Sequence, residues 1–110
     1  MISVFDTNPV VFENDDRTLT ISYNGVLCKD ANGTVTTDIN FEDVNELYLT
    51  RYLNSNSNYT IRFRDHNWKS IEGQDLDTDR KESNAGHNIR ETKAIIAAFA
   101  RHKLTADFPA

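Results

Sequence analysis

The densest run of metal-type donors in this 110-residue chain is Asp75-Leu76-Asp77-Thr78-Asp79, where carboxylates alternate as they do at the start of a calcium loop. A hard cation needs several oxygens gathered on one short turn, and the rest of the pattern fails. Arg80 stands where the turn requires Gly, and Gly86 where a bidentate Glu would complete the shell. The segment reads as a solvated acidic loop, and no metal is expected. His66, His87 and His102 lie far apart, and none has a second His, Cys or acid at a zinc-motif spacing. His102 falls near the end of an expected helix, where the helix dipole favours a cationic ring for structural reasons. Cys28, the single cysteine, lies in an expected strand. A thiol there becomes a nucleophile only with a base beside it, so it reads as a buried inert group. No Gly-rich phosphate loop, serine elbow or paired-carboxylate pattern stands out, and neither a catalytic residue nor a cofactor is expected.

One surface combines residues suited to recognition. Arg62 and Arg64 alternate on the outward side of an expected strand, Trp68 and Lys69 follow across a turn, and Arg51 belongs to the neighbouring strand. Arg and Trp dominate binding hot spots, because a flat apolar area and a fixed donor fork gain most on desolvation. The candidate binding residues are therefore Arg51, Arg62, Arg64, Trp68 and Lys69.

Composition narrows the partners. Seventeen acidic residues against twelve Lys and Arg give a net charge of −5, which repels phosphate backbones and anionic membranes at long range. No nucleic acid and no stable membrane association is expected. The 38% hydrophobic and 26% charged content suits a folded domain, alone or as a homo-oligomer, spanning 1–110 as one unit. One cysteine excludes an intrachain disulfide, and Met-Ile-Ser-Val-Phe-Asp at the start lacks the basic and apolar regions of a leader. A cytoplasmic location is expected.

The elements that position these residues are legible from period. Val10 to Phe12 is a short apolar run; Leu19, Ile21 and Tyr23 alternate with Thr18, Thr20 and Ser22. Asn24-Gly25 predicts a type I′ turn into a strand from Val26 to Lys29. Val35, Thr37, Ile39 and Phe41 share a face; Val44, Leu47 and Leu49 belong to the next segment. Tyr59, Ile61 and Phe63 point inward opposite Thr60, Arg62 and Arg64, and Trp68 to Glu72 predicts a seventh strand anchored by Ile71. Strands thus occupy about 10–72, a polar loop follows over 74–87, and a helix over about 88–104. Asn88-Ile89-Arg90-Glu91 has the form of a capping box, with Ile89, Ile96 and Phe99 on the inward stripe, Ile95 at its edge, and Glu91, Ala94 and Ala98 opposite.

Seven short strands and a closing helix resemble the pleckstrin-homology-like superfold, particularly its small bacterial versions. Leu19-Thr20-Ile21-Ser22-Tyr23-Asn24-Gly25-Val26 is similar to a hairpin of those domains, and Ile39-Asn40-Phe41-Glu42-Asp43-Val44 to their aromatic-acid-aliphatic step. The resemblance implies an α+β, mostly β chain: a strongly bent seven-stranded antiparallel sheet or partly open barrel capped by one C-terminal helix. It also implies a binding scaffold for lipids, peptides or proteins. Lipid-binding members carry Lys and Arg in the first hairpin loop, whereas Glu13-Asn14-Asp15-Asp16-Arg17 here is acidic, so phosphoinositides are disfavoured. The leading expectation is a non-catalytic module that binds a protein or peptide. The alternative is a small acidic inhibitor or immunity-type protein that neutralises a basic toxin or enzyme. An enzyme built on His87 and the 74–87 loop stands third.

Overall fold

Threonine alternating with Leu19 and Ile21 gives a segment one apolar face and a stiff, extended backbone, and the antiparallel sheets grow from such segments. The computed structural model describes residues 9–51, 59–77 and 85–107. Strands β1 (Val10–Glu13), β2 (Arg17–Ile21), β3 (Gly25–Asp30) and β4 (Val35–Asn40) form one antiparallel sheet in sequence order. Strands β5 (Glu46–Arg51), β6 (Tyr59–Arg64) and β7 (Leu76–Asp77) form a second, and a helix α1 (Ala85–Asp107) follows. The chain is thus α+β and mostly β. The seven strands lie in two sheets of four and three, and among the described residues no strand pairing joins them into one bent or closed sheet.

The break between the sheets is a 3-10 turn at Phe41–Asp43. Asn40 Oδ1 accepts from Glu42 N, the two acids face solvent, and Phe41 and Val44 on either side of them are buried. Leu19, Ile21, Val26 and Ile39 from the first sheet meet Ile61, Phe63 and Leu76 from the second, and Ile95 and Ala98 of α1 complete the core.

Several sequence expectations are corrected. The hairpin loop between β2 and β3 is Tyr23-Asn24, closed by Ser22 N donating to Gly25 O, and neither Asn24 nor Gly25 has positive φ. Gly25 serves another purpose: a Cβ there would sit 1.9 Å from Ile39 O of the adjacent strand. Val35 is exposed, because the register shifts at Cys28/Lys29 and takes it off the face shared by Thr37 and Ile39. Trp68 to Glu72 forms no regular strand: it meets β6 at an isolated bridge, Arg64 with Ser70, and through Ile71 N donating to Phe63 O, with Ile71 packed against the core as expected. The seventh strand is instead Leu76–Asp77, within the expected loop, because burying Leu76 against Ile61 is worth roughly 1.5–3 kcal/mol.

The helix starts three residues before Asn88 and extends past Leu104 to Asp107. It is also rotated from the expected orientation. Glu91 is only 1% exposed and shares the buried face with Ile95 and Ala98, at spacings of four and three, while Ile89 and Ile96 are each 43% exposed. The cause is Arg17. Its Nη2 pairs with Glu91 Oε1, and its Nη1 donates to Asp77 O at 2.6 Å, so the Glu91 carboxylate is held at the sheet.

Replacing Arg17 by Met leaves the Glu91 carboxylate buried without its guanidinium and is expected to cost about 3 kcal/mol in urea unfolding. Adding Glu91→Leu to that variant should recover most of the loss, a coupling that a double-mutant cycle measures.

Candidate functional site

Strand β6 turns Ile61 and Phe63 into the core and leaves Thr60, Arg62 and Arg64 on the outer face. Register sets Arg64 opposite Glu46, Arg62 opposite Tyr48 and Thr60 opposite Thr50. The Tyr48 ring carries the Arg64 guanidinium 4.5 Å from its centroid and that of Arg62 at 5.9 Å. Arg62 Nε meets Asp75 Oδ2 at 3.1 Å, Arg64 Nε meets Glu46 Oε2 at 3.4 Å, and Tyr48 Oη lies 3.2 Å from Ser70 Oγ. Solvent-facing pairs of this kind add little stability, but together they fix where each guanidinium lies. They also match its charge, so this face is an ordered polar-aromatic surface rather than a bare cationic cradle.

The face runs into the turn Asp65-His66-Asn67-Trp68-Lys69. Asp65 Oδ1 accepts from Asn67 N at 2.8 Å and from Lys69 N at 3.0 Å; Trp68 N donates to Asp65 O, and Asp65 N to Lys69 O. The turn between β3 and β4, Asp30-Ala31-Asn32-Gly33-Thr34, repeats every one of these bonds. Asp30 Oδ1 accepts from Asn32 N and Thr34 N, Gly33 N donates to Asp30 O, and Asp30 N donates to Thr34 O. The fourth residue of both turns is left-handed, with φ of 82° at Gly33 and 63° at Trp68. Glycine adopts that conformation without a steric penalty, whereas a residue with a Cβ costs roughly 1–2 kcal/mol. Trp68 occupies the glycine position of a turn that the chain builds elsewhere with glycine, and it is 62% exposed.

Two contacts brace this tip. Arg64 Nη1 reaches Trp68 O at 3.5 Å, and His66 Nε2 lies 2.8 Å from Glu42 O, which places the acidic Phe41–Asp43 turn beside it. The structure therefore sets Arg62 and Arg64 on one face of β6 and Trp68 and Lys69 on the exposed turn that follows it. Arg51 stands apart: it pairs with Tyr59 at the far end of the ladder, about 17 Å along the strand from Glu46, and its side chain lies outside the described residues. Tyr48, Glu46, Asp75 and Ser70 belong to the surface and were not singled out from the sequence, although Tyr48 was accessible from the period-two pattern of β5. The left-handed turn at Trp68 was missed, since Trp68 was expected to open a strand; the signal for it is Asp-x-Asn, which recurs at both turns with Gly33 and Trp68 in the same place.

The other chemistry-bearing residues have structural partners. Cys28 is buried in the core. His102 Nδ1 lies 3.2 Å from Tyr23 O, with its ring against Tyr23 and Phe41. Asp75 is engaged by Arg62, and Asp77 accepts from Thr60 Oγ1 at 2.6 Å. Among the described residues no three His, Cys, Asp or Glu side chains converge as metal ligands, and no helix is long and apolar enough to cross a membrane. Asp79 and the side chain of His87 lie outside the described residues. Comparisons with protein-family models, curated proteins and solved structures return no match.

The paired turns set up reciprocal substitutions. Gly33→Ala is expected to lower stability by about 1 kcal/mol, from backbone strain alone, since a Cβ there meets nothing within 4 Å. Trp68→Gly should raise it by about 0.5–1 kcal/mol, the relieved strain less the added freedom of the unfolded chain. Urea midpoints at constant m-value read both.

Proposed function

We propose that the chain is a non-catalytic protein-binding module of pleckstrin-homology-like architecture, which engages its partner with the outer face of β5–β6 and the Asp65–Lys69 turn. The observation that carries this reading is Trp68: a large aromatic residue, solvent-exposed, in a backbone conformation that costs folding energy. Strain kept at an exposed position points to a role outside the fold. The Tyr48, Arg62 and Arg64 stack beside it supports the same surface, since residues already fixed lose little side-chain entropy on binding. The architecture is supported by the order of four strands, three strands and a helix, and by the Phe41–Val44 step that re-enters the core.

A second reading, a small acidic inhibitor of a basic protein, draws on a different observation. Asp15, Asp16, Asp38, Glu42 and Asp43 are all exposed in a chain of net charge −5. The two readings separate by salt.

The test is retention of a protein from source-cell lysate on the immobilised chain at low and high salt, followed by titration of that protein against variants. Trp68→Ala is expected to weaken binding by about 2 kcal/mol or more, roughly thirtyfold in Kd, and Tyr48→Ala by a smaller amount. Retention that survives high salt and falls with Trp68→Ala supports the module. A partner lost in high salt and indifferent to Trp68 supports the inhibitor.

A further inference from the structure

Resting on that binding reading, we propose that Trp68 is a plug: its indole enters an apolar pocket on a folded protein, and Glu42 and Asp43 beside the tip meet a basic stretch of that pocket's rim. The twin turn isolates what the indole is for. Asp30–Thr34 closes with the same bonds around Gly33, so the turn needs no side chain at its fourth position, and the Trp68 ring is surplus to building it. Trp68 lies at the tip, beyond the Arg64–Ser70 bridge and the bond from Asp65 N to Lys69 O, and it is mostly solvent-exposed.

A lone ring on a turn is a knob, and its complement is a hole. An extended peptide has none, and a strand added to a sheet edge would bond with backbone away from the tip. An anionic lipid surface is opposed by the acidic 3-10 turn that His66 ties to the tip through Glu42 O. A concave protein surface satisfies both the ring and the acids. Because Asp65 pins the backbone on both sides of Trp68, the turn that carries the ring enters already shaped, and the partner spends little binding energy ordering that backbone.

Photo-cross-linking of the full chain in its source cells tests this, with benzoyl-phenylalanine placed in turn at positions 68, 33 and 62. Position 68 is expected to give one dominant protein adduct, at least tenfold above position 33, mapping to residues that line an apolar pocket. A protein adduct from position 62 with none from 68 overturns the plug and leaves the binding module standing. No protein adduct from either overturns both. Adducts from 68 to lipid, to a second copy of this chain or to an unfolded segment overturn the plug. Because Trp68 is the only tryptophan, the native sequence offers a second measurement that needs no substitution at the turn. The chain labelled with 5-fluorotryptophan should show its one fluorine resonance shifted and broadened on adding the captured partner. An unmoved resonance in a formed complex overturns the proposal.

Discussion

The Arg17 guanidinium is the constraint on which the arrangement of the elements depends. It stands on β2, pairs with Glu91 of α1, and donates to the Asp77 carbonyl of β7, so one side chain ties the first sheet to the helix and to the edge of the second sheet. With side-chain exposures of 16% and 1%, the pair sits where an unpaired charge would be costly, which makes the tie selective. Any helix rotation that buried Ile89 or Ile96 instead would strand the Glu91 carboxylate. Exposing those two isoleucines is the smaller penalty, since each loses only part of its burial energy.

Rigidity at the candidate surface has a different origin. There the charges are solvent-facing and individually weak, and order comes from register: Glu46, Tyr48 and Thr50 stand opposite Arg64, Arg62 and Thr60 because Leu47 and Phe63 must pack on the other face. The core thus dictates the layout of the exposed face through the two-residue period of the strands. The turn that follows inherits its direction from β6, and Asp65 fixes the rest.

What was legible in the sequence divides along the same lines. The β2–β3 hairpin and the inward-outward alternation of β6, which sets Arg62 and Arg64 on one side, follow from local period and were readable, whereas Trp68 was expected in a strand and lies in a turn. The rotation of α1 was not, because the residue that sets it is 74 positions from Glu91 and a capping box offered the same carboxylate a local partner. Two-residue β7 is too short to show any period, and it is recognised only by the burial of Leu76 against Ile61. The hairpin loop was displaced by one residue because Asn24-Gly25 is a strong turn signal, whereas Gly25 is required for its close approach to Ile39 O.

Strand β7 also determines what the chain would present to its own copies. Tyr59-Thr60-Ile61-Arg62-Phe63 is rich in β-branched and aromatic residues, and among the described residues the edge of β6 away from β5 is paired by Leu76–Asp77, by the Arg64–Ser70 bridge and by Ile71 N donating to Phe63 O. That cover is fastened from outside by Arg17 on the Asp77 carbonyl, by Thr60 on the Asp77 carboxylate and by Gln74 Oε1 on Asp38 N of β4. Its short length makes it the piece whose release bares a template for intermolecular cross-β pairing. These fastenings are therefore a safeguard against aggregation, holding in place a strand too short to hold itself.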